Sequence, residues 1–340
     1  MTEGIDLPKV TEWFEHNIEG ARAPLSFDLI AGGRSNLTFR VTGGGGSSFV
    51  LRRPPLGHVL ATAHDMGREY RIISALADTP VPVPPALGFC DDEAVNGSPF
   101  YVMGYVEGLV LRDNRSAESI TPEVRAAAGR SLVDTLTKIH AVDPDAVGLG
   151  DLGRKDGYIA RQLKRWYGQF EQSKMREVPE VDEVYEYLSA RIPDQQAATI
   201  VHGDYRLDNC MLGPTGDVVA VLDWEICTLG DPLADLGLLM VYWNDPGDAF
   251  SALGSGPTTL PGFPRRDDLR AMYAERSSLD LSHLDFYLAF GYWKLACILD
   301  GVYTRYAKGA MGSDGAAWEA FGDSVGRLAS VAKQVAGSLG

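Results

Sequence analysis

The stretch Val201-His202-Gly203-Asp204-Tyr205-Arg206-Leu207-Asp208-Asn209 gathers carboxylates, an amide, an arginine and a histidine among apolar residues, and Leu222-Asp223-Trp224-Glu225 adds carboxylates a short way on. Between them Cys210-Met211-Leu212, a Gly-Pro-Thr-Gly turn and Val218 to Leu222 read as a β-hairpin with unusual polar residues at each end. Such a hairpin suits chemistry in which one carboxylate faces an attacking hydroxyl while an amide and a second carboxylate hold Mg2+ against phosphate oxygens. The plainer alternative is a polar hairpin whose Asp and Asn only cap turns, as these residues favour.

The elements around this stretch fall into two kinds. Residues 27 to 53 read as a β-meander, with Leu37, Phe39 and Val41 alternating and Phe49-Val50-Leu51 following a glycine-rich turn; Gly43-Gly46 reads as a flexible link between the second and third strands. Met66, Tyr70, Ile73 and Leu76 follow helical spacing after Asp65, and Pro80, Pro82, Pro84 and Pro85 then forbid helix. Phe100 to Met103 is a further strand, and 104–108 connects to a helical region. There Thr121 caps a helix with Pro122 at its first position, a helix near 157–173 buries Ile159, Leu163, Trp166 and Phe170, and another near 286–306 is apolar nearly all round. The expected organisation is an α+β chain with a small, mainly antiparallel β part over 1–105 and a larger helical part over 106–340.

Composition excludes several classes. The 31 basic and 46 acidic residues give a net charge of −15, which disfavours nucleic acid and anionic membrane as partners. Four scattered cysteines, without a CxxC pair or Cys/His cluster, argue against zinc and against a disulfide framework. Met1 to Trp13 has neither a basic region nor an apolar run, and Lys294 interrupts the late apolar stretch, so a cytoplasmic protein is expected.

The central stretch resembles the HGDxxxxN loop and metal-binding aspartate of the aminoglycoside phosphotransferase (APH) and choline kinase family, whose fold is that of protein kinases with two lobes. The resemblance spans roughly 27 to 245 and is tightest at 201 to 236. It implies a kinase that moves the γ-phosphate of ATP or GTP to a hydroxyl with Mg2+. Carried over by position, it makes Asp204 the residue that orients or deprotonates the hydroxyl, Asn209 and Asp223 metal ligands, and Arg206 a counter-charge to the transferring phosphoryl. His202 reads as a loop-fixing residue, and Asp235 of Gly230-Asp231-Pro232-Leu233-Ala234-Asp235-Leu236 as a brace reaching back to that loop, with Asp231 a helix cap.

The same resemblance makes Gly32, Gly33, Ser35 and Asn36 a phosphate-covering turn. Arg52 stands where the family carries lysine, with Glu69 as partner, and Met103 with Tyr105 lies in the hinge that reads adenine. Taken as an exposed ion pair, Arg52–Glu69 would contribute little stability. Seven residues between Asp223 and Asp231 leave no room for a long activation segment, so a small-molecule acceptor fits better. The phrases Val50-Leu51-Arg52-Arg53-Pro54-Pro55, 158–166 and Gly301-Val302-Tyr303 are similar to the kinase-like domain of acyl-CoA dehydrogenase family members 10 and 11, which implies a hydroxy acid or hydroxyacyl acceptor. Its site is expected on Tyr158, Arg161 and Arg165, presented away from the core, and on Trp293. Two alternatives are a regulatory pseudokinase, supported by Arg52, and an aminoglycoside kinase, disfavoured by the few acids after Ala307.

Overall fold

The computed structural model describes residues 2–31, 36–56, 65–248, 256–309 and 319–338. Gly32, Gly33 and Ser35 of the expected phosphate-covering turn lie outside the described residues. The chain forms two units, Met1–Leu109 with Val219–Glu225, and Val110–Val218 with Ile226–Gly340.

The first unit runs α1 (Leu7–Asn17), β1 (Ser26–Ala31), β2 (Leu37–Thr42), β3 (Ser48–Arg53), α2 (Met66–Leu76), β4 (Ala86–Cys90), α3 (Glu93–Asn96) and β5 (Phe100–Gly104). Its sheet is antiparallel in the order β1-β2-β3-β5-β4, and the register sets Arg52 between Thr38 on β2 and Tyr101 on β5. Side chains alternate across a strand, so Phe39, Val41, Phe49, Leu51, Phe100 and Val102 reach one core with Val10, Phe14 and Ile18 of α1 and the loop that follows it. The sequence reading has no counterpart to α1, although Asp6 caps it by accepting from Lys9 N and Pro8 stands in its first turn. Gly43-Gly46 is a closed hairpin turn and not a loose link: Gly43 N donates to Ser47 O at 2.9 Å, with Gly45 and Gly46 at φ 110° and 87°.

Helix α2 begins where Asp65 accepts from Arg68 N and buries Met66, Glu69, Ile72, Ile73 and Leu76. It therefore carries one carboxylate into an otherwise apolar face.

The second unit contains α4 (Asn114–Glu118), α5 (Pro122–Ala141), α6 (Tyr158–Ser173), α7 (Pro179–Ser189), β6 (Thr199–Val201), β7 (Cys210–Leu212), the start of β8 (Val218–Val221), β9 (Thr228–Gly230), α8 (Leu233–Tyr242), α9 (Arg266–Arg276), α10 (Leu284–Ala307) and α11 (Glu319–Gly337). Thr121 and Pro122 start α5 as the sequence anticipates. Helix α10 packs against α6, α7, α8 and α11, which explains why it is apolar on nearly every side. Strand β6 pairs antiparallel with β9, Val201 opposite Thr228, and delivers the chain to His202. Among the described residues no helix is long and apolar enough to cross a membrane.

Candidate active site

In the second unit the residues after β6 are held by their backbone. Gly203 adopts φ 86°, and a Cβ there would meet Ile226 atoms at 3.1–3.2 Å, so this turn requires glycine. Asp235, in the first turn of α8, accepts the N–H of His202 at 2.6 Å and of Gly203 at 2.8 Å. Asp204 N donates to His202 Nδ1 at 3.3 Å, and Tyr205 OH donates to Leu132 O of α5 at 2.8 Å. The brace read from sequence for Asp235 is thus a pair of charge-assisted hydrogen bonds. Asp231 accepts from Leu233 N and from Tyr287 OH at 2.7 Å, which keeps it at the helix start.

The side chains of the loop converge on Asp204. Asn209 Nδ2 donates to Asp204 Oδ2 at 2.9 Å and to its carbonyl at 2.8 Å. Arg206 Nε lies 3.2 Å from Asp204 Oδ2 and 3.1 Å from Asp208 Oδ1, with its guanidinium 5.0 Å above the Tyr242 ring. Burial raises the Asp208 carboxyl against the pull of Arg206, and burial together with Asp204 holds the Tyr242 phenol well above its ordinary value. This is a partly exposed carboxylate fixed in orientation, with a cation alongside.

Burial alone would raise Asp235, but the hydrogen bond and charge of His140, with His202 and the Gly203 N–H, bring its carboxyl below the usual range. A depressed folded value means that its stabilisation is present above the unfolded carboxyl value of about 3.9 and is lost as pH falls through the lower folded value. In acid-unfolding series the parent is expected to exceed Asp235→Asn by about 3 kcal/mol at neutral pH. That difference should hold above about pH 5 and shrink below about pH 4.

In the first unit a second polar cluster surrounds Arg52. Its Nε lies 3.0 Å from Glu69 Oε2, and its Nη2 donates to Asp223 Oδ1 at 2.5 Å and stands 3.9 Å from Glu225 Oε2. Tyr101 OH donates to Glu69 at 2.9 Å, and Asn36 Nδ2 donates to Glu69 at 3.3 Å and Glu225 at 3.1 Å. Burial lowers the Arg52 pKa, but the surrounding acidic groups raise it further, and burial raises Glu69 against the pull of Arg52. Asp223 has φ 65°, the left-handed region that aspartate tolerates better than most residues. One oxygen each of Glu69, Asp223 and Glu225 lies within 4.8 Å of the others around Arg52; with Glu69 held by Arg52, Asp223 and Glu225 are the hard oxygen donors of this cluster that suit Mg2+ or Mn2+. Sequence reasoning misses Glu225 as a member of this cluster; a second carboxylate two residues beyond Asp223 is the signal that could have found it. Asn209 belongs to the other unit.

Several expectations require correction. Arg52–Glu69 is not an exposed pair: Glu69 is 2% exposed. Glu69→Ala would leave Tyr101 and Asn36 without this acceptor, and it is expected to lower the unfolding free energy by about 3 kcal/mol, read from denaturant melts. The Asn36 amide, expected to donate to phosphate, donates to Glu69 and Glu225. Tyr158 does not face away from the core; it is buried, and a Cβ on Gly230 would collide with its ring. Trp293 is fully buried, donates to Val181 O at 2.9 Å and stacks near Tyr185. Arg161 donates to Arg154 O at 2.6 Å, tying down the loop before α6, while Arg165 is exposed beside Trp166. The hinge expectation needs no such correction: Met103 is buried near the end of β5, and Tyr105 follows it with its ring centre 4.3 Å from the Arg40 guanidinium carbon.

An antiparallel sheet with a buried Arg52–Glu69 pair and a helical unit presenting Asp204 beyond a short strand make an α+β chain, and its family and structural likeness make it a phosphotransferase of the protein-kinase-like class. The chain belongs to the phosphotransferase enzyme family (APH), whose model matches residues 26–270. Acyl-CoA dehydrogenase family member 10 of Mus musculus is 36% identical over 268 residues, covering 78% of this chain and 25% of that protein. Family member 11 of Rattus norvegicus is 36% identical over 272 residues, covering 78% of this chain and 35% of that protein. The chain therefore spans a quarter to about a third of these relatives. A Ralstonia eutropha crystal structure assigned to the aminoglycoside phosphotransferases superposes with a TM-score of 0.84 at 34% identity, covering 98% of both chains. The similarity to members 10 and 11 read from the sequence phrases is borne out.

Proposed function

We propose that this chain transfers the γ-phosphoryl group of ATP, or of GTP, to the hydroxyl of a small hydroxy acid or hydroxyacyl compound. The observation that carries this reading is Asp204, a carboxylate whose Oδ2 is taken by Asn209 and Arg206 on a loop with a clamped backbone. In the reaction the acceptor oxygen bonds to the γ-phosphorus, the bond from that phosphorus to the β-phosphate oxygen breaks, and the hydroxyl proton passes to Asp204. Arg206 supplies positive charge beside the reacting oxygens, and Arg52, braced by Glu69, serves the nucleotide phosphates as a fork. Asp223, with Glu225, would hold Mg2+, which supplies charge neutralisation on the phosphates when bound.

The acceptor class has separate support. A water-sized cavity beside Arg206 is lined by Arg112, Asp208 and Thr258 with Leu111, Leu239, Tyr242 and Trp243; it is too small to hold an acceptor and supports an acidic one only by placing Arg112 close to Arg206. The relatives carry acyl-CoA dehydrogenase names, consistent with an acyl-type acceptor. In a mass-spectrometric panel with Mg-ATP, hydroxy acids and hydroxyacyl thioesters should gain one phosphate at least about tenfold faster than cationic aminoglycosides. An aminoglycoside phosphorylated fastest would overturn this acceptor class. The contact of Arg52 with Asp223 favours a second reading, a nucleotide-binding regulator; tight Mg-nucleotide binding without transfer to any panel member would select it.

A further inference from the structure

Lysine is among the costliest side chains to bury, because its ammonium loses hydration that only pairing or hydrogen bonding restores. Lys294 sits in the middle of α10 at 6% exposure, among residues that are buried from Phe290 to Cys297. No step of the proposed reaction uses it. Its Nζ donates to the carbonyl of Gly203 at 3.0 Å and lies 5.7 Å from the Trp166 ring centre. Burial holds its pKa below the ordinary lysine value, with Asp204 and Asp235 opposing.

The carbonyl that Lys294 holds belongs to the peptide immediately before Asp204. The N–H of that same peptide donates to His202 Nδ1, and the preceding two N–H groups go to Asp235. The peptide between Gly203 and Asp204 is thereby gripped at both ends, its oxygen by Lys294 and its nitrogen by His202. A peptide plane has only the two adjoining dihedrals with which to turn, so fixing both of its polar ends fixes the direction from which the Asp204 side chain departs. We propose that Lys294 is a positioning residue, a buried ammonium that locks the peptide before Asp204 and aims the carboxylate at the acceptor. Locking the loop is independent of the phosphotransfer reading; the catalytic consequence rests on it.

The test uses the full chain in two variants. Lys294→Met retains the apolar stem against Trp166, and Lys294→Ala vacates space that n-propylammonium can enter. Hydrogen exchange of the amides at 202–204 should be faster by about tenfold in both variants, the scale of one lost charge-assisted hydrogen bond, with exchange elsewhere unchanged. Phosphate release from Mg-ATP, with water as acceptor, should fall by about tenfold while ATP affinity stays within about twofold, and added n-propylammonium should restore part of the loss in Lys294→Ala. Exchange at 202–204 equal to the parent would overturn the proposal. So would ATP affinity and exchange throughout the chain changing together, the pattern of a residue that only supports folding. In a parent that binds ATP but releases no phosphate to water, exchange at 202–204 alone decides the role of Lys294.

Discussion

Asp204→Asn is expected to lower phosphoryl transfer by about 10²- to 10⁴-fold, the range that a positioned general base contributes. The substitution is nearly isosteric and leaves the backbone bonds to Asp235 and His202 in place, because neither involves the Asp204 side chain. What it removes is the negative charge that accepts a proton and that pairs with Arg206 at 3.2 Å. Arg206 retains Asp208, 3.1 Å away, so the loop should not open. Mg-nucleotide affinity, measured by calorimetry, should therefore stay close to that of the parent while turnover collapses. A fall in affinity matching the fall in turnover would mean that Asp204 binds nucleotide and does not meet the acceptor.

Asp223→Asn should also be severe, and should act on the nucleotide. Asn tolerates the φ of 65° found at this position, so the change removes charge without forcing the backbone. Arg52 keeps Glu69 and Glu225, and an Asn Oδ1 can still accept from its Nη2, but the negative charge at 2.5 Å is lost. Transfer should fall by about 10²- to 10³-fold, comparable to the removal of one preorganised electrostatic contact. Unlike Asp204→Asn, this variant should bind nucleotide no more tightly with Mg2+ than without it. Retention of the parent's Mg2+ dependence would remove Asp223 from the metal set.

The family was legible because the spacing of Asp204, Asn209 and Asp223 around a hairpin is a pattern that few other demands on a chain produce, and the family model matches 26–270. Asp235 was legible for a related reason, since an acid one turn into a helix that follows Gly-Asp-Pro can reach the preceding loop. The acceptor face was not. A helical wheel marks the core stripe of α6 but cannot show that α10 and α7 pack against further faces, so Tyr158 and Trp293 look presentable until the packing is known. Burial of the Arg52–Glu69 pair was hidden likewise, because α2 brings Glu69 to Tyr101 and Asn36, residues distant in sequence. Lys294 appeared only as an interruption in an apolar run; that an ammonium in such a run must find a carbonyl or carboxylate was the signal available.

The most direct measurement is phosphorus NMR of the chain with ATP, Mg2+ and a hydroxy acid or hydroxyacyl acceptor. The γ-phosphate resonance should disappear as a phosphate monoester coupled to the acceptor's own carbinol proton grows in equal amount, and chelation of Mg2+ or the Asp204→Asn change should stop both. Nucleotide that binds yet yields no ester with any hydroxyl acceptor, or ester formed at the parent rate by Asp204→Asn, would contradict phosphoryl transfer at this loop.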